Sequence, residues 1–125
     1  MSRLLLFLLG TLCGAGVMTF ARQSEVDPIK LSPQLYTIRL DNDRVRVYEY
    51  HLKPGEKEPM HSHPAGVVYV LKGATLSDTL PGGQSMSLEA KSGSVLWREA
   101  TSHALENVGT TEAAAIGIDL KPCSK

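Results

Sequence analysis

The sequence predicts an all-β domain, a sandwich or barrel of short strands. Three observations carry that expectation. Strand-like runs recur at roughly 8–12-residue spacing with turn residues between them. Seven prolines and 11 glycines punctuate a chain of 125 residues, which favours turns over long helices. One segment, Val45–Leu52, alternates: Arg46, Tyr48, Tyr50 and Leu52 share one face, and Val45, Val47, Glu49 and His51 the other.

The N-terminus is read apart from this domain. After Met1-Ser2-Arg3, the eighteen residues Leu4–Ala21 carry no charge. Residues 1–21 match a secretory signal, with Thr19-Phe20-Ala21 as a small-x-small cleavage site and a periplasmic or secreted mature chain. The alternative is an uncleaved membrane anchor, because this stretch is just long enough to span a bilayer. Gly10, Thr11, Gly14 and Gly16 dilute its hydrophobicity. Leu12 before Cys13 argues against a lipid-attachment site, which wants a small residue there. Residues 22–34, with Pro28 and Pro33, are expected to form an irregular arm. Residues 35–122 are the expected barrel domain.

The strands follow in order. Leu35–Leu40 ends at the Asp41-Asn42-Asp43 turn, and Val45–Leu52 ends at Pro54-Gly55. Val67–Leu71 is an unbroken apolar run, the pattern of a strand buried on both faces. Thr75–Leu80 leads into Pro81-Gly82-Gly83, and Ser85–Glu89 into Lys91-Ser92-Gly93. Ser94–Arg98, His103–Val108 and Ala113–Leu120 complete the series. Gly55, Gly73 and Gly93 are assigned to turns that need positive φ. The tyrosine face of Val45–Leu52 is the better apolar one. Glu49 and His51 are therefore expected outside, the alternative being that both point inward.

Composition excludes several function classes. Thirteen basic and 13 acidic residues cancel, so no basic field exists to hold nucleic acid. The two cysteines, Cys13 and Cys123, form neither a disulfide framework nor a C-x-x-C zinc site. Cys123 has no adjacent histidine or helix start to activate it and reads as an exposed tail thiol. There is no glycine-rich phosphate loop and no Gly-x-Ser-x-Gly elbow.

The histidines carry the chemistry. On a strand, His61 and His63 project from one face and can reach one cation together. His103 opens a later strand that a closed sheet can bring opposite them. Neutral imidazole suits zinc, copper, nickel and iron. A solvated His-x-His pair on an exposed edge is the competing reading of the spacing alone.

The surrounding blocks add to this. Gly55, five residues, His61-Ser62-His63, and then Pro64-Ala65-Gly66 before Val67–Gly73 form one block. Gly93 to Arg98, then His103, three residues and Asn107 form another. Together these resemble the two motifs of the cupin superfamily over residues 45–120. Near Arg98 and Ala100 the second block lacks the usual Pro-x-Gly turn and is shorter by one residue. The tail, Asn107-Val108-Gly109 with Asp119-Leu120-Lys121, is similar to small single-domain cupins such as the β-alanine-degradation type.

The resemblance implies a single-domain jelly-roll β-barrel with a divalent metal held by His61, His63 and His103. The family's fourth ligand is a glutamate, and here Val67 or Val68 stands in its place, or Gly66 if the short loop is counted back from Gly73. An imidazole-only site favours zinc, nickel or copper, with iron or manganese helped by a carboxylate. Asn107 is expected to be structural. Tyr69 and Trp97 are expected to line the cavity or pack in the core, and Glu99 to face solvent. Two functional classes follow. One is a metalloenzyme of oxygenase or isomerase type acting on a small polar organic acid. The other is a non-catalytic module that binds a small molecule or metal. A homodimer is among the expected partners, and a membrane only if the N-terminal segment stays uncleaved.

Overall fold

The structure, a computed structural model, describes residues 25–123. The segment read as signal or anchor, residues 1–21, lies outside the described residues, as do Cys13 and residues 22–24. No helix among the described residues is long and apolar enough to cross a membrane.

Helical turns precede the strands. Helix α1 (Pro28–Leu31) is one turn, capped by the Asp27 side chain, which accepts from the Ile29 N–H at 3.1 Å. Proline at the first helical position suits that start, since its missing N–H would have no partner there. A 3-10 turn follows at Pro33–Leu35. The arm was expected to be irregular; capping by Asp27 and the preset φ of two prolines instead give it two ordered turns. Its Val26 carbonyl accepts from Ser62 N–H at 2.8 Å and ties the arm to the histidine strand.

Nine strands follow: β1 (Tyr36–Asp41), β2 (Val45–Leu52), β3 (Lys57–His63), β4 (Gly66–Lys72), β5 (Ala74–Thr79), β6 (Ser85–Ala90), β7 (Val95–Arg98), β8 (Thr101–Asn107) and β9 (Ala113–Leu120). They form a five-stranded sheet, β1-β2-β9-β4-β7, and a four-stranded sheet, β3-β8-β5-β6. All the pairings are antiparallel. The two sheets enclose one interior, which is the expected jelly roll. Strand β3 is the one the sequence pattern passes over. Lys57-Glu58-Pro59 carries neither alternation nor apolar run, yet an edge position tolerates the proline.

The interior holds an aromatic cluster. Leu35, Tyr48, Tyr50, Leu52, Ala74, Leu76 and Ala113 form the buried cluster. The Tyr36 ring packs on those of Tyr48 and Tyr50 at centroid distances of 5.2 and 5.0 Å. This face of β2 is the inner one, as the alternation predicts. Asn107 is buried and structural: its amide donates to the carbonyls of Leu52 and Thr111, each at 2.8 Å, and its oxygen accepts from Gly109 N–H.

Two expectations fail here. Strand β4 is not buried on both faces: Tyr69 and Leu71 are exposed, because nothing among the described residues covers the outer face of its sheet. Gly55 and Gly93 have positive φ, at 80° and 82°, but Gly73 does not. A Cβ on Gly73 would lie 2.4 Å from the Ala90 carbonyl oxygen, so close approach of two backbones requires that glycine.

Candidate metal centre

Register brings the three histidines together. His61 and His63 lie on one face of β3, and His61 pairs directly with His103 on β8. Their potential ligand atoms all lie within 4.8 Å of one another. His61 and His63 are buried, and His103 is partly so.

Each imidazole is oriented by an oxygen at its Nδ1. His61 Nδ1 lies 2.8 Å from the Pro59 carbonyl. His103 Nδ1 lies 3.1 Å from Asp78 Oδ1. His63 Nδ1 lies 3.4 Å from the Tyr48 hydroxyl and 3.7 Å from Asp119 Oδ1. Acceptors at Pro59 and Asp78 fix the proton on Nδ1 and turn Nε2 inward as a lone pair. His61 Nε2 and His63 Nε2 then stand 3.0 Å apart, and His103 Nε2 is buried without a hydrogen-bond partner. At 3.0 Å one proton or one cation can bridge the His61 and His63 nitrogens, while His103 Nε2 has no protein partner to satisfy it. The donor set therefore fits a divalent metal.

Electrostatics keep these rings neutral. Burial lowers the pKa of His61, His63 and His103, holding His63 at about 4. Burial alone would raise Asp119. The His63 imidazole beside it, the Arg98 charge and the bond from Arg46 together overcome that and hold it at about 2. Asp119 also pairs with both guanidiniums, Arg46 at 3.1 Å and Arg98 in close contact. Tyr48, pushed up to about 12 chiefly by burial, stays a neutral hydroxyl. Its ring lies across Gly117, where a Cβ would come within 2.2 Å of it. Glycine on β9 thus lets Tyr48 reach His63.

The fourth-ligand positions are now resolved. Gly66 pairs with Asp119 and Val68 with Gly117, so both sit on the inner face; Val67 pairs with Ile118 on the outer face. Val67 is therefore not where a carboxylate would reach the metal. Val68 lines the cavity beside His63 and His103. A Cβ at Gly66 would lie 2.1 Å from the Ile118 carbonyl oxygen, which excludes a larger residue without backbone movement.

The other candidates fall elsewhere. His51 and Glu49 sit on the outer face, bonded to each other at 2.9 Å, with Glu112 on the second His51 nitrogen. Tyr69 is outside. Trp97 alternates outward between Leu96 and Arg98, reaches the cavity rim, and donates to exposed Glu99 at 2.7 Å. Cys123 is exposed.

Sequence reasoning missed Glu58, Asp78, Arg98 and Asp119. Glu58 is fully buried beneath the triad, accepts from the Tyr36 hydroxyl at 2.6 Å and lies 3.7 Å from His61 Nδ1. Burial raises its pKa and favours the neutral acid. Strict alternation back from His61 and His63 would turn Glu58 outward; the irregularity between Glu58 and His61 turns it inward, so no local pattern signals it.

The comparisons agree with this geometry. A cupin domain from Bordetella pertussis Tohama I superposes with a TM-score of 0.64 at 29% identity, over 70% of this chain and 92% of that one. The chain belongs to the cupin superfamily. A cupin superfamily protein from Desulfitobacterium hafniense matches at TM-score 0.54 and 20% identity, over 70% of this chain and 77% of that one. An RmlC-like cupin with a double-stranded β-helix fold, from Methanocaldococcus jannaschii, matches at 0.54 and 13%, over 69% and 80%. These two speak to fold alone. No protein-family model matches the sequence, and no curated protein matches it. Within this cupin the three clustered histidines are compatible with a metal ion, and Val68 faces the same interior.

Proposed function

We propose that this cupin is exported, binds one divalent transition metal through His61, His63 and His103, and takes a small organic acid in the cavity beside it. The convergence of three Nε2 atoms, each ring held at its Nδ1, supports the metal. Absence of a carboxylate at Val68 favours zinc, nickel or copper over manganese. When bound, such a metal acidifies its water and polarises a ligand oxygen, and three protein ligands leave positions open for both.

The adjoining cavity of about 450 Å³ suggests the ligand's shape. Val68, Val70, Leu76, Leu88, Leu96 and Leu105 make most of its wall apolar. Arg98, whose Nε is buried without a partner, reaches the same wall and would orient a carboxylate. The ligand that fits is an acid with an apolar body, less polar than the sequence suggests. Turnover of oxygenase or isomerase type would use the open metal positions. A non-catalytic binding module is the second reading. It is favoured by the engagement of charged groups on the cavity wall: Asp78 with His103, Glu99 with Trp97 and Lys72 with Glu112.

Elemental analysis and metal titration test the proposal. Wild type should bind one equivalent of zinc, nickel or copper. Alanine at His61, His63 or His103 should abolish stoichiometric binding, and His51→Ala should not. Equal loss from all four substitutions would sink the assignment. Export is tested by mass spectrometry of the protein from its native host, with a mature start at Arg22 expected.

A further inference from the structure

Strands β6 and β7 follow one another in the chain but belong to different sheets. Strand β6 is an edge of the four-stranded sheet and β7 an edge of the five-stranded one. Alternation along β6 separates Ser85, Ser87 and Glu89 from Met86, Leu88 and Ala90. Register puts the second set inside: Leu88 pairs with buried Leu76, and Met86 with Asp78, the carboxylate behind His103. On β7, Leu96 pairs with Val68 and shares its inner face. Side chains aimed between two packed sheets are ordinarily covered, as Leu76 is at 7% exposure. Met86 is instead 49% exposed, Leu88 38% and Leu96 43%. The barrel therefore stands open along the seam between these two edges, and the lips of the opening are apolar. Leu88 and Leu96 also line the cavity that holds His63, His103 and Arg98, so cavity and seam are one continuous space.

We infer that the ligand of this cavity carries a long apolar tail that leaves the interior between β6 and β7, so that the acid is an amphiphile. This rests on the reading of the cavity as an organic-acid site with Arg98 at the carboxylate, and adds the tail to it. The volume is right. At roughly 30 Å³ for a water-sized group, the cavity of about 450 Å³ has room for about fifteen. A four-carbon acid would leave most of that apolar wall unfilled. The direction is right as well. Arg98 and Leu96 are successive inward positions on β7, about 7 Å apart at the standard strand rise. A carboxylate at Arg98 thus starts its tail toward the lips. Inward apolar side chains left against water are unfavourable, and a tail lying along them removes that surface from water. The strip is also narrow. Polar Ser85, Ser87 and Glu89 alternate with the lip residues of β6, so the apolar band suits one chain-like group better than a protein face.

The test is calorimetric titration of the purified full chain with butanoate, octanoate, dodecanoate and dodecanol. Affinity for the acids should rise about two- to fourfold with each added carbon, as burial of successive methylenes requires. Leu96→Asn and Met86→Gln alter exposed lip positions. Each should weaken dodecanoate roughly fivefold or more and leave butanoate unchanged, with an unaltered far-UV circular dichroism spectrum. Val95→Lys, on the outer face of the five-stranded sheet, should change neither. Equal affinity for butanoate and dodecanoate would overturn the tail and leave the acid reading standing. Dodecanol bound as tightly as dodecanoate, with butanoate not bound, would support the tail and overturn the acid reading. Binding of none of the four would overturn both. Loss of dodecanoate binding in Val95→Lys but in neither lip variant would put the tail on the outer face and overturn the inference. So would a dimer, seen by sedimentation equilibrium, that Met86→Gln dissociates, since a second copy would then cover the lips.

Discussion

The four-stranded sheet supplies every candidate ligand, and the five-stranded sheet supplies none. His61, His63 and His103 all stand on β3 and β8, and two are oriented within their own sheet, by Pro59 and Asp78. His63 alone is steered across the interior, by Tyr48 on β2 and Asp119 on β9. The donors are thus set by local register, whereas the aim of His63 depends on how the two sheets pack. Damage to one sheet should remove ligands or misplace them singly. Damage to the other should act through stability and through His63.

Asp119→Ala separates these roles with the largest effect on stability. It leaves Arg46 and Arg98 without their shared buried carboxylate. Removing one partner of a buried pair costs about 3–5 kcal/mol, to be measured by urea unfolding of the metal-free protein. A change below about 1 kcal/mol would mean the guanidiniums find water instead.

Acid should come next. His63 titrates at about 4 in the folded chain against an ordinary 6.5, and the other two rings are also lowered by burial. The unfolded chain therefore binds more protons below 6.5, and folding stability falls as pH drops from 6.5 toward 4. For His63 alone the loss is ~3 kcal/mol at the lower end of that window. Urea unfolding across pH in the presence of chelator measures it. His63→Phe should flatten part of the slope.

Asp78→Asn tests orientation within the ligand sheet. Losing the carboxylate behind His103 should weaken zinc binding about 10- to 100-fold, a typical cost for such partners, with little change in the unfolding midpoint. Competition against a fluorescent chelator provides the affinity. The smallest effect expected is a change of preference. Val68→Glu places a carboxylate on the cavity wall and should shift relative affinity toward manganese or iron. Val67→Glu, on the outer face, should leave metal preference alone. A shift from Val67→Glu and none from Val68→Glu would reverse the register given for β4.

The sequence by itself determined the strand rhythm, the inner face of β2, the structural role of Asn107 and the pairing of His61 with His63. Each follows from period-two geometry or from a motif within a few residues. The addition of His103 rested on the cupin resemblance. Tertiary structure decided what depends on distant partners. Glu58, flanked by Lys57 and Pro59, reads as solvated until β3 pairs with β8 and turns it inward. Asp119 and Arg98 are ordinary charges until β9 and β7 flank β4 and aim both at the same interior. The apolar run of β4 was legible as two-sided, but only the sheet order shows that one side stays uncovered among the described residues. Local pattern fixes which side chains share a face. Which face meets an interior, a metal or solvent is settled by pairings tens of residues apart.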